Sequence, residues 1–245
     1  MKRVFVFIAI MVSVLSAMAQ HTKHYDERVA LFDSEKPLCS KDIVFLGNSL
    51  TEGGDWENLF AKSQSRLQKR GGRIANRGII GDDAPGIYDR LYQILPAHPK
   101  KIFLLVGVND ISHNLTADSV VRAIAKVVDK IRTDSPDTLL YLQTLLPINE
   151  SFKRYKNLNG KSAVVSEVNA GIKRVASERG LKCIDLFPLF TVRSTSGSSN
   201  IVCTDESGAS LNNVGVLNPS LTRDGLHLIP AGYDIWRDAL MKYVK

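Results

Sequence analysis

Four short stretches of this 245-residue chain hold side chains that could do chemistry together. "GNSLTEGG" (47–54) puts Ser49 directly after an apolar run, and "GIIGDD" (78–83) carries Gly78 and Gly81. "GVND" (107–110) presents Asn109 and Asp110, and "DGLH" (224–227) spaces Asp224 three residues before His227. A serine hydroxyl is a weak nucleophile until a base takes its proton. Imidazole titrates near neutral pH and can be that base; a carboxylate beside it fixes the tautomer and stabilises the imidazolium. When serine attacks an ester carbonyl, negative charge grows on the carbonyl oxygen and N–H donors must meet it. Ser49 and Gly81 offer backbone N–H groups, and Asn109 offers a side-chain amide. Glycine at position 81 also lets the backbone come close to a substrate. Taken singly, each block has a plainer origin. Serine is an ordinary turn residue after a strand, Asn-Asp is a common helix cap, and Asp-Gly marks turns. Only the set supplies nucleophile, base, orienting group and oxyanion donors for acyl transfer.

These residues must be held by regular elements. Apolar runs at "DIVFLG", "RIANRGI", "KIFLLVGV", "TLLYLQTLL" and "LKCIDLF" read as strands. Between them, helical spacing runs through "DWENLFAKSQSRLQKR", "APGIYDRLYQIL", "TADSVVRAIAKVVDKIRTD" and "AVVSEVNAGIKRVASERG", with "PAGYDIWRDALMKYV" last. Thr116 or Asp118 would cap the third of these helices, and Gly180 would close the fourth. Strand and helix in alternation predict an α/β fold, a five-stranded parallel sheet covered on both faces. Ligands of such sheets bind beyond the carboxyl ends of the strands, which is where three of the four blocks fall. Residues 20–40 are mixed and polar and read as an irregular lead-in. Residues 191–220 are rich in Ser, Gly and Asn, and the stretch is long enough to be a functional loop.

Residues 1–19 read as a signal peptide: Lys2 and Arg3, an apolar run over 4–15, then Ala17-x-Ala19 before the cut. That leaves 20–245 as a single domain, exported to a periplasm or beyond. No later stretch is apolar for long enough to cross a membrane, so stable membrane insertion is not expected. The formal charge of +7 falls to +5 without Lys2 and Arg3. The remaining basic residues, as in "KRYKNLNGK", are scattered without aromatic interleaving and read as solvated surface, so no nucleic-acid partner is expected. Two of Cys39, Cys183 and Cys203 could pair in an oxidising compartment, and the sequence does not say which. None has metal-site spacing, and no metal or other cofactor is implied.

The four blocks, in this order and near this spacing, resemble those of GDSL-type esterases of the SGNH hydrolase superfamily. The likeness spans residues 43–235, and "N-x-G-I-x-G-D" over 76–82 resembles the branch of acetylesterases and platelet-activating-factor acetylhydrolase-like enzymes. The resemblance implies a flavodoxin-like three-layer α/β/α sandwich. It also implies Ser49, Asp224 and His227 as catalytic residues, with Ser49, Gly81 and Asn109 as the oxyanion hole. One position departs: Asn48 stands where the family has Asp, which bears on how the serine turn is held. Asp82 and Asp110 are assigned to scaffold, bracing the serine loop. His21, His24, His98 and His113 read as surface residues, His113 being near enough to Asn109 to line the cleft. Trp56 and Trp236 fit helical core faces. The expected activity is a secreted serine esterase acting on small acyl esters, acetyl groups on carbohydrates above all. Two rivals stand beside it. A lysophospholipase or lipid-ester hydrolase would show an apolar groove beside Ser49. A non-catalytic glycan-binding domain would keep the fold without turnover, and the retained nucleophile, base and donors argue against it.

Overall fold

The computed structural model describes residues 22–192 and 215–245. The predicted leader, Cys203 and most of the 191–220 loop therefore lie outside the described residues. Five strands form one parallel sheet: β1 (Ile43–Gly47), β2 (Ile74–Gly78), β3 (Lys101–Leu105), β4 (Leu139–Gln143) and β5 (Lys182–Ile184). Their order is β2-β1-β3-β4-β5. β1 sits in the middle, with Ile43 opposite Ile74 on one side and Lys101 on the other. The chain passes from β1 to one neighbour and then returns to the other. That reversal makes the carboxyl ends of β1 and β3 a topological switch point, the usual crevice of an open α/β sheet.

Alternation along the strands sends successive side chains to opposite faces. Val44, Leu46, Ile102, Leu104, Leu140 and Leu142 pack on one face against the helices α5 (Ala84–Asp89), α7 (Ala117–Asp134) and α8 (Ser162–Glu178). Ile43, Phe45, Phe103 and Leu105 pack on the other against α3 (Trp56–Leu59) and α10 (Pro230–Leu240). Both tryptophans are core residues, as expected. Their rings meet edge-on with centroids 5.0 Å apart, and each indole N–H has an acceptor, Thr51 O for Trp56 and Gln143 Oε1 for Trp236. Burying both faces is what makes this a three-layer α/β/α sandwich.

Three expectations need correction. The lead-in is not irregular: α1 (Lys23–Ser34) is a helix, capped by Thr22, whose hydroxyl accepts the Tyr25 N–H. Its apolar stripe is only Tyr25, Val29 and Phe32, packed on Ile79, too narrow to stand out against the polar residues around it. The helix expected across 55–70 breaks at Phe60 into α3 and α4 (Ala61–Gln68), where the Phe60 ring stacks on Phe45. The helix expected over 84–95 gives way after α5 to two 3₁₀ turns, because Arg90 leaves helical geometry and turns its side chain inward. The remaining short helices are α2 (Ser49–Glu52), α6 (Val108–Ser112) and α9 (Phe187–Phe190). Thr116 caps α7 by accepting the Ser119 N–H, and Gly180 takes the left-handed conformation just after α8.

Candidate active site

β1 runs into Asn48 and then the first residue of α2, Ser49. Asn48 is fully buried, and its Oδ1 accepts the Leu50 N–H at 3.1 Å. It thus does the N-capping an aspartate would do here, while its Nδ2 has no acceptor among the described residues. Ser49 inherits two consequences. Its N–H, at a helix start, has no intrahelical acceptor, and its side chain stands at the strand's carboxyl edge.

The imidazole arrives from 178 residues away. His227 Nε2 lies 3.0 Å from Ser49 Oγ, and His227 Nδ1 lies 2.9 Å from Asp224 Oδ2. The D-x-x-H turn organises itself: Asp224 Oδ1 accepts the backbone N–H groups of Leu226 (3.0 Å) and His227 (2.7 Å). Gly225 makes this turn possible with φ +88°, and a Cβ there would collide with the Asn149 carbonyl. Burial pushes the Asp224 carboxyl upward, but hydrogen bonds from the His227 N–H and ring, the Tyr155 hydroxyl and the Leu226 N–H outweigh it and hold it at about 2. An ionised Asp224 requires the proton on Nδ1, which leaves the Nε2 lone pair facing the serine hydroxyl.

The other two blocks close around the same rim. Gly81 has φ +82°, a left-handed conformation that an L side chain would strain, and its N–H meets no acceptor among the described residues. Asn109, two residues past Gly107 in α6, donates from Nδ2 to the Asp82 carbonyl at 2.7 Å. That carbonyl can only accept, so the amide nitrogen must face this way, and its second hydrogen stays available. Asp82 and Asp110 brace these segments, as expected. Arg90 and Asp82 form a pair 2.7 Å apart in which both side chains are 1% exposed, and Arg90 Nη2 also donates to the Gly47 carbonyl, two residues before Ser49. Asp110 accepts the Ala84 N–H at the start of α5. Burial raises both carboxyls, Asp82 to about 6 despite Arg90, and Asp110, with the charge of Asp83 adding to burial, to about 7.

Two contributors escaped the sequence reading. Glu52 accepts the Ile80 N–H at 2.6 Å and so ties the Gly81 segment to α2. On its outer side it pairs with Arg28 (3.7 Å) and with His24 (3.1 Å), which is therefore not a bare surface histidine. Tyr155, in a stretch read as solvated surface, instead reaches the Asp224–His227 pair. Neither carries a local signal, since each acts on residues distant in sequence. His98 and His113 are exposed, as expected; His113 pairs with Asp83 at 3.5 Å. His21 lies outside the described residues. Cys39 and Cys183 are free thiols. Among the described residues no group of His, Cys, Asp and Glu could hold a metal ion, and no helix is long and apolar enough to cross a membrane.

The fold is similar to that of proteins of known structure. A GDSL-like lipase from Bacteroides thetaiotaomicron is 19% identical, with TM-score 0.65 over 90% of this chain and 96% of that one. An acetyl xylan esterase, AlAXEase, is 23% identical, with TM-score 0.60 over 83% and 100%. The lipase/acylhydrolase from Enterococcus faecalis is 19% identical, with TM-score 0.60 over 83% and 94%. No curated protein matches the chain. The model of the GDSL-like lipase/acylhydrolase family matches residues 45–235, which contain all four sequence blocks from Ser49 to His227. The chain belongs to the GDSL-like lipase/acylhydrolase family, and it is a serine ester hydrolase of the SGNH type.

Proposed function

We propose that this hydrolase removes small acyl groups, acetyl above all, from carbohydrate esters through an acyl-enzyme on Ser49. The observation that carries the reading is the continuous contact from Ser49 Oγ through His227 to Asp224, at 3.0 and 2.9 Å. Ser49 Oγ attacks the ester carbonyl carbon while His227 Nε2 takes its proton. The oxyanion is met by the N–H groups of Ser49 and Gly81 and by the Asn109 amide. Collapse breaks the bond between the acyl carbon and the sugar oxygen, which takes the proton from His227 Nε2 and leaves as a hydroxyl. Water then repeats the sequence on the acyl-enzyme and releases the acid.

One comparison supports a sugar as the leaving group: the acetyl xylan esterase with the same fold acts, by its name, on such an ester. The reading includes export through residues 1–19, which N-terminal sequencing of the mature protein would test. The activity test is hydrolysis of p-nitrophenyl acetate and release of acetate from acetylated xylan, with lysophospholipid alongside. Ser49→Ala should lower kcat by about 10³-fold or more. An unchanged rate removes Ser49 from the mechanism, and octanoate esters preferred over acetate exclude the acetylesterase reading.

A further inference from the structure

We propose that Tyr155 is a positioning residue of the ester hydrolysis: its hydroxyl donates to the same Asp224 oxygen that takes the His227 Nδ1–H, and so sets how strongly Asp224 holds the imidazole. The inference rests on the reading of Ser49 and His227 as nucleophile and base. Three atoms form a closed triangle. Tyr155 Oη lies 2.8 Å from Asp224 Oδ2 and 2.8 Å from His227 Nδ1, and Nδ1 lies 2.9 Å from Oδ2. One carboxylate oxygen therefore serves two donors, while the other is taken by the Leu226 and His227 N–H groups. The Tyr155 ring also stands edge-on to the imidazole, with centroids 5.6 Å apart, and limits its rotation.

Tyr155 comes from the segment between β4 and α8, 69 residues from Asp224 and 72 from His227. It thus adds a third part of the chain to a pair that the 224–227 turn alone could only half restrain. Burial, and then the Asp224 carboxylate, push its hydroxyl up to about 12. The phenol keeps its proton at any working pH and is always a donor. Among the described residues, Arg154 and Arg223 also face this cluster, the latter exposed with its Nε 3.8 Å from Asp224 Oδ2, and Glu150 and Lys153 line the same concavity as Tyr155 and Asp224. A carboxylate that shares its charge with a third donor is a weaker partner for imidazolium. Removing the hydroxyl should concentrate that charge on His227.

The experiment compares pH profiles of kcat/KM for p-nitrophenyl acetate, because the acid limb reports the free enzyme's base. Tyr155→Phe keeps the ring and loses only the hydroxyl. It should lower kcat roughly tenfold with KM little changed, and move the acid limb to higher pH. Site-specific 3-fluorotyrosine at 155, a stronger donor in the same shape, should move the limb to lower pH, and this arm stands even if Tyr155→Phe folds poorly. In an Asp224→Asn background the Tyr155→Phe effect should shrink to less than about twofold, the sign of a shared partner. Superimposable profiles for all three forms, or a full Tyr155→Phe effect without Asp224, overturn the proposal. Ser49→Ala separates the two levels of inference. If that variant is dead and the Tyr155 profiles still coincide, only the role of Tyr155 falls; if it retains the wild-type rate, the esterase reading falls with it.

Discussion

In the proposed mechanism Asn109 is one of three oxyanion donors, and Asn109→Ala isolates it from the rest of the site. The Asn109 amide spends one hydrogen on the Asp82 carbonyl at 2.7 Å, which fixes the orientation of the other. The two backbone donors survive the substitution. Ser49 N–H is held by the α2 start that Asn48 caps at 3.1 Å, and the Gly81 segment by the Glu52–Ile80 bond at 2.6 Å. The variant therefore loses one donor of three, a change of about 10²–10³ in kcat, or about 2.7–4 kcal/mol of transition-state stabilisation. KM should barely move, since the ground-state carbonyl carries little of the charge that the donor meets. Folding loses one hydrogen bond at a half-buried site, about 1 kcal/mol against a total of about 5–15 kcal/mol, so the protein should stay folded. Asn109→Asp is the sharper companion. It keeps the shape, has no N–H for the oxyanion, and adds charge near Asp82, Asp83 and Asp110, so it should be no more active than Asn109→Ala. Steady-state rates with p-nitrophenyl acetate, corrected with Ser49→Ala as background, measure both. A kcat for Asn109→Ala within threefold of wild type, or an Asn109→Asp variant of full activity, would refute the assignment.

Two further predictions concern the buried carboxylates behind the site. Arg90→Met leaves Asp82 unpaired at 1% exposure and should cost about 3–5 kcal/mol when that carboxylate is ionised. Asp82 already sits at about 6 with Arg90 present, and losing the cation raises it further, so the loss should be larger at pH 8 than at pH 5. Equal shifts in the urea midpoint at the two pH values would contradict this. Asp110 sits at about 7 in the folded protein against 3.8 as the ordinary value. Between those values the folded state binds a proton that the unfolded state has lost, so this group's contribution to stability falls as pH rises from about 4 to about 7. Asp110→Asn still accepts the Ala84 N–H and cannot ionise. Its stability relative to wild type should therefore climb across that window, and a pH-independent difference in urea midpoint would count against it.

Much of this protein was legible before any contact was known. Hydrophobic periodicity is a local property, and it located all five strands and the helices α7, α8 and α10. The four blocks named Ser49, Gly81, Asn109, Asp224 and His227 because each stands at a strand end or turn where its type is chemically conspicuous. What failed locally was short or overruled by packing. α1 has only a narrow apolar stripe, and Phe60 and Arg90 broke helices that their neighbours' spacing favoured, because an aromatic stack and a buried ion pair outweighed local preference. Contacts across sequence were decided only by the tertiary structure: Ser49 with His227 over 178 residues, Tyr155 with that pair over about 70, Glu52 with Ile80 over 28. A hydrogen bond depends on two side chains arriving within about 3 Å, and nothing in either residue's own neighbourhood encodes that meeting. It follows from the order in which the strands pair, with β1 set between β2 and β3.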